Sequence, residues 1–131
     1  MPTDVEVLRD GYDAFVRGDI EGITASFAED IEFVGPNSQR MPEAGTHRGR
    51  EAVGALLAGM RERWDDLTWT PDEFVSEGDT IVVLGHMEGR AKATGTQVKV
   101  PFVHIWRMSG GKATRGQALT DTAVVAEALG K

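Results

Sequence analysis

The chain has 131 residues, 40% hydrophobic and 27% charged, with a formal charge of −7 at pH 7 and no cysteine. Missing cysteines exclude disulfides, thiolate catalysis and cysteine-ligated metals, and the negative charge would repel a phosphate backbone. No apolar run approaches the roughly 18 residues of a membrane span, so neither nucleic acid nor membrane is an expected partner.

The length suits a single domain over residues 1–131. The opening MPTDVEVLRD has acidic residues and no apolar block, which predicts no secretory signal and a cytoplasmic protein. Thr3 and Glu6 have capping-box spacing, and Val5, Leu8, Tyr12 and Phe15 then recur as the buried stripe of a helix that Gly18 ends. Asp19 can cap a second, short helix carrying Ile20, Ile23 and Phe27. The stretch IEFVG (31–35) reads as a strand and includes Phe33, and a Pro- and Gly-containing loop follows to Gly49. A third helix over about 50–64 shows Val53, Leu56, Leu57, Met60 and Trp64 on one face.

After Asp65 and Asp66 the chain turns to strand chemistry. Turn signals at Gly78, Gly95 and Gly110-Gly111 separate hairpin-forming runs, and the fold class is α+β, a curved antiparallel sheet wrapped around three N-terminal helices. In PFVHIWRM, alternation places Phe102, His104 and Trp106 on one face and Val103, Ile105 and Arg107 on the other. The preceding strand sets Val82, Leu84, His86, Glu88 and Arg90 on one face and Ile81, Val83, Gly85 and Met87 on the other. A hairpin centred on Gly95 pairs His86 with His104, Leu84 with Trp106 and Glu88 with Phe102. One face thus combines aromatic rings with two imidazoles and a carboxylate, the composition of a cleft for a small apolar molecule.

The run FVRGDIEGITASFAEDIEFVGP, followed by AGTHRGREAV, PFVHIWRM, GGK and TDTA, resembles the SnoaL-like branch of the nuclear-transport-factor-2-like superfamily along nearly the whole chain. The resemblance implies a cone-shaped sheet around the helices, an apolar pocket and a homodimer through the outer sheet face, with members that are isomerases, cyclases, hydrolases, dehydratases or binding domains. Carried over from ketosteroid isomerase, the catalytic base falls on Gly35, the tyrosine on Gly11 with Tyr12 beside it, and the protonated acid on His104. The Arg-x-Asp pair of limonene epoxide hydrolase falls on His86 and Glu88, and its second aspartate on Ala118. The last-strand acid of the cyclases can be matched only by Asp121, which can equally cap a helix over TAVVAEAL.

The candidate catalytic residues are therefore His104, His86, Glu88 and Asp121, and the candidate substrate-binding residues are Tyr12, Phe15, Phe33, Trp64, Phe102, Trp106, Gly116, Ala118 and Thr120. Gly116, Ala118 and Thr120 leave that wall either wide or filled from elsewhere, by Trp64, Trp69 or Trp106. His47, in a loop, reads as a surface group. Facing histidines and a carboxylate could number three ligands, but no short-spacing motif accompanies them and no metal or cofactor is expected. The expected activity is a cofactor-free isomerase, cyclase or hydratase, with a non-catalytic binding or association domain as the alternative. Val103, Ile105, Val83 and Ile81 are the expected dimer face.

Overall fold

The computed structural model describes residues 2–131. Thr3 opens α1 (Asp4–Arg17) through the reciprocal cap with Glu6, and Gly18 closes it at φ 78°, a left-handed conformation that costs glycine nothing. Asp19 accepts from the Gly22 N–H to start α2 (Ile20–Thr24), and β1 (Phe27–Val34), β2 (Thr46–Arg48) and α3 (Arg50–Glu62) follow. The remaining elements are β3 (Trp64–Glu77), β4 (Thr80–Ala91), β5 (Gln97–Ser109), β6 (Lys112–Thr120) and α4 (Thr122–Ala128). Trp64 therefore starts a strand rather than ending the third helix, although it is buried either way.

The six strands form one curved, unclosed sheet in the order β2-β1-β6-β5-β4-β3. Every neighbouring pair is antiparallel except β1 and β6, which run parallel, with Phe33 beside Gly116. Leu8, Tyr12 and Phe15 of α1 and Val53 and Met60 of α3 share a core with Phe27, Ile31, Ile81, Val83 and Phe102 of the strands. A fourth helix, α4, follows β6, and Asp121 caps it by accepting from the Val124 N–H at 3.2 Å. No described helix is long and apolar enough to cross a membrane.

The β4–β5 register differs from the expected one. The turn is a four-residue loop, Lys92–Gly95, closed by the Ala91 N–H donating to Thr96 O at 2.9 Å, and Gly95 sits at its end rather than its centre. His104 therefore pairs with Val83, three residues before His86, and His86 pairs with Pro101. An odd slip exchanges the faces of a strand. Ile81, Val83 and Met87 point into the core, whereas Val82, Leu84, His86 and Glu88 lie on the outer face with Val103 and Ile105. Ile81 and Val83, expected on the dimer face, are thus interior residues, and neither His86 nor Glu88 shares a face with His104.

Two glycines let large rings lie flat on the sheet. A Cβ on Gly116 would stand 2.6 Å from Trp106 Cζ3, and one on Gly85 would collide with the Thr70 carbonyl and the Phe102 ring. Nothing stands near a Cβ added to Gly78, where only the positive φ of 60° resists substitution. Gly85→Ala is expected to lose about 3 kcal/mol of stability, the upper end of the usual overpacking cost, because the atom met is backbone. Gly78→Ala should lose about 1–2 kcal/mol, the usual left-handed penalty. Urea denaturation ranks the two, and a Gly85→Ala protein as stable as Gly78→Ala would contradict the close approach.

Candidate functional site

Between the inner sheet face and the helices lies a cavity of about 80 Å³. Its walls are built from α1 (Tyr12, Phe15), β1 (Phe33), β3 (Trp64, Trp69), β5 (His104, Trp106) and β6 (Ala118, Thr120). Strand parity supplies most of this lining, because residues two apart on a strand project to the same side. The helical wall follows from the stripe of α1, in which Leu8, Tyr12 and Phe15 are the buried face.

His104 is the chemical centre of the cavity. It is 7% exposed and held between Val83 and Ala118 in the sheet. Its ring stacks on Phe102 at 4.3 Å and 28°, and Trp69 lies 5.1 Å away. Nδ1 of His104 is 2.6 Å from Tyr12 Oη, and Trp106 Nε1–H donates to the same hydroxyl at 3.1 Å. Burial pushes the His104 pKa down to about 3, since an imidazolium has no water to solvate it there. Burial also raises the Tyr12 hydroxyl above its ordinary value, against a smaller opposing pull from the Trp106 N–H. Both groups are neutral at physiological pH.

A second polar group of the cavity, Glu43, is not among the sequence candidates. It belongs to the loop between β1 and β2, is 3% exposed and lines the cavity together with Pro36 and Met41. Its Oε2 is buried without a hydrogen-bond partner among the described residues. Burial holds this carboxyl above the usual carboxylate range, opposed in order by Arg63, its own backbone N–H and His47. Gly35 makes the placement possible: any Cβ there would collide with the Glu43 carbonyl, while the Gly35 N–H donates to Gly45 O at 2.9 Å. The loop carries no periodicity, so burial of one of its carboxylates leaves no pattern to read. The nearest signal was Gly35 itself, an unsubstituted position where a side chain was expected. Trp69 Nε1 is likewise buried without a partner among the described residues.

Of the expected binding residues, Tyr12, Phe15, Phe33, Trp64, Trp106, Ala118 and Thr120 line the cavity. Phe102 is buried behind His104, and the space over Gly116 is occupied by Trp106. Of the expected catalytic residues, His104 alone lies in the cavity. His86 is on the outer face, with Nδ1 2.8 Å from Asp72 and Nε2 3.8 Å from Glu88, and Glu88 also meets Lys99 at 3.6 Å. Asp121 is the cap of α4. His47, read as a surface group, is half-buried, and its Nε2 lies 3.0 Å from the Glu43 carbonyl oxygen. Among the described residues no three His, Asp or Glu side chains gather as a metal site.

Comparison with known proteins agrees with this architecture. A crystal structure of TerC co-crystallised with polyporic acid is 32% identical, with a TM-score of 0.88 and 98% of both chains covered. A structure of an NTF2-like protein from Burkholderia xenovorans is 35% identical, with a TM-score of 0.84 over 96% of this chain and 95% of that one. An uncharacterised Mycobacterium tuberculosis protein is 29% identical over 113 residues, 86% of this chain and 84% of that protein. The model of the SnoaL-like domain matches residues 8–116, and with an α+β fold, a curved sheet and these relatives, the chain belongs to the SnoaL-like family.

Proposed function

We propose that this protein binds a small, planar, largely apolar molecule bearing a carbonyl oxygen, and acts on it as a cofactor-free isomerase, cyclase or hydratase. The observation that carries this reading is the hydrogen bond between Tyr12 and His104 inside an aromatic cavity. Trp106 Nε1 can only donate, so it occupies a lone pair of Tyr12 Oη. His104 Nδ1 is the one acceptor beside the phenol proton among the described residues, so satisfying that buried proton assigns it to Nδ1, and the neutral imidazole then carries its hydrogen on Nε2. His104 in that tautomer is a hydrogen-bond donor and not a proton acceptor. A donor fixed in a water-poor site stabilises negative charge developing on a substrate oxygen, because no reorganisation is needed when the charge appears. The stacked rings suit a flat partner. The co-crystallisation of TerC, a relative over nearly its full length, with polyporic acid supports small-molecule binding of this kind.

The outer sheet face supports a symmetric homodimer. Val75, Val82 and Ile105 form one row across three strands, and Leu84, Val103 and Leu119 form the next. Leu84, Leu119 and Val75 are 36%, 43% and 48% exposed, a contiguous apolar patch of the sort that usually meets a partner.

Three measurements bear on this reading. Acetophenone labelled with ¹³C at the carbonyl should show a downfield carbonyl resonance when bound, and His104→Phe should abolish that displacement while the ketone still binds. For a substrate that is turned over, the same change should lower kcat by about 10²–10³, the loss typical of one oxyanion donor. An identical carbonyl resonance in both proteins would remove His104 from the site.

Protonation gives the second measurement. Unfolded His104 titrates near 6.5 and the folded group near 3, so only the unfolded chain takes up that proton between these values. The stability from keeping it neutral is complete above about pH 6.5 and drains away as pH falls toward 3. Wild type should lose about 2–3 kcal/mol more than His104→Phe between pH 7 and pH 4.5 in urea titrations, other ionisations cancelling in the difference. Parallel pH curves for the two chains would show that His104 is not held neutral by burial.

For association, light scattering of the wild type should give twice the 14.2 kDa chain mass, and Ile105→Lys should give the single-chain mass. Wild-type protein running as a monomer at micromolar concentration rules the dimer out.

A further inference from the structure

The buried carboxyl of Glu43 has no role in the donor chemistry above. A buried polar group without a partner calls for a water or a ligand group to complete it. Glu43 Oε2 is such a group, and the residue faces the same cavity as His104.

The sheet register places the two groups relative to each other. His104 pairs with Ala118 on β6, the preceding Gln117 pairs with Val34 at the end of β1, and Gly35 follows Val34. Gly35 is the residue against which the Glu43 backbone is packed. The Glu43 anchor therefore lies at the β1 end of this sheet wall, two strands from His104, about 10 Å between backbones at the usual strand spacing. Between them stands Ala118, a cavity-lining residue whose small side chain leaves the middle of that wall open. A single aromatic ring with oxygen substituents at opposite ends has the length to bridge such a gap.

We propose that Glu43 is a ligand-recognising residue that accepts a hydrogen bond from a hydroxyl of the substrate, at the opposite end from the carbonyl held by His104 Nε2, so that the substrate class is hydroxylated aromatic ketones. This rests on the proposed function, since it uses the same cavity and the same donor. The Glu43 carboxyl, already removed from water by the fold and offset in part by the Arg63 charge, gains a hydrogen-bond partner for Oε2 when the hydroxyl arrives, which favours ligands that carry it.

The test uses three ligands of one shape, acetophenone, 4-methoxyacetophenone and 4-hydroxyacetophenone, titrated calorimetrically into the wild type and Glu43→Met. The wild type should bind the hydroxyl compound about tenfold or more tightly than acetophenone and disfavour the methyl ether. Glu43→Met should bring the hydroxyl compound and acetophenone within about twofold of each other, leaving the His104-dependent carbonyl resonance in place. Equal wild-type affinities for the hydroxyl compound and acetophenone overturn the inference whatever the variant does. A preference that survives Glu43→Met also overturns it. If Glu43→Met does not fold, a crystal structure of the wild-type complex decides, since the phenol oxygen must lie within about 3 Å of the Glu43 carboxyl. Acetophenone that fails to bind at all would defeat the proposed function and this inference with it, whereas acetophenone binding with the His104 resonance and no hydroxyl preference defeats this inference alone.

Discussion

The arrangement depends on keeping one imidazole neutral and partnered in a place without water. Burial keeps His104 neutral at physiological pH, and an unpartnered ring nitrogen among these aromatic rings would be costly. Tyr12 relieves that cost from a helix 92 residues away in sequence. The hydrogen bond therefore ties α1 to β5, and Trp106, two residues along the same strand, holds the other side of the phenol. A helix resting on a sheet by apolar contacts alone could rotate or slide with little penalty, since such contacts are non-directional. Here the phenol oxygen must meet two nitrogens, which sets both the rotation of α1 and its height over the strand. The polar pair thus specifies the cavity wall as well as furnishing its chemistry.

Much of this was readable from residue order. The helix stripes, the capping box and the alternation of Phe102, His104 and Trp106 rest on local periodicity, and they hold except at the helix ends, where Phe27 and Trp64 are buried as expected but begin strands. Tyr12 is legible as a core residue of the α1 stripe and as the neighbour of the isomerase tyrosine position. Asp121 was legible as a helix cap from the residues that follow it. What local pattern could not supply was the β4–β5 register. Gly95 accommodates either a central or a terminal position in a loop, and moving it by a residue or two changes which residues pair. That ambiguity placed His86 and Glu88 inside, although they belong to a charged cluster with Asp72 and Lys99 on the other side.

Glu43 was illegible for a different reason. Its burial comes from the path of an irregular loop, and that path is set by a backbone-to-backbone approach at Gly35. In the family comparison Gly35 stood for a missing carboxylate. In three dimensions the missing side chain is the opening through which a later part of the loop brings its own carboxylate close. Absence at one position and presence eight residues on are one structural event. Small residues elsewhere work similarly: Gly116 and Gly85 are slots occupied by the rings of Trp106 and Phe102.

The parallel pairing of β1 with β6 bears on how the chain reaches this state. Most strand contacts join hairpin neighbours, which find each other quickly because little chain entropy is lost in closing short loops. Phe33 and Gly116 are instead separated by most of the sequence, and their pairing must wait until that long loop is closed. The β3–β6 meander can therefore assemble ahead of β1, with Trp106 and His104 lying on an open sheet. Only when β1 docks does the wall carrying Phe33, and behind it the Glu43 loop, complete the cavity. During synthesis β1 emerges early and β6 late, so a nascent chain can pair β1 only with the short β2 until its last strand is made.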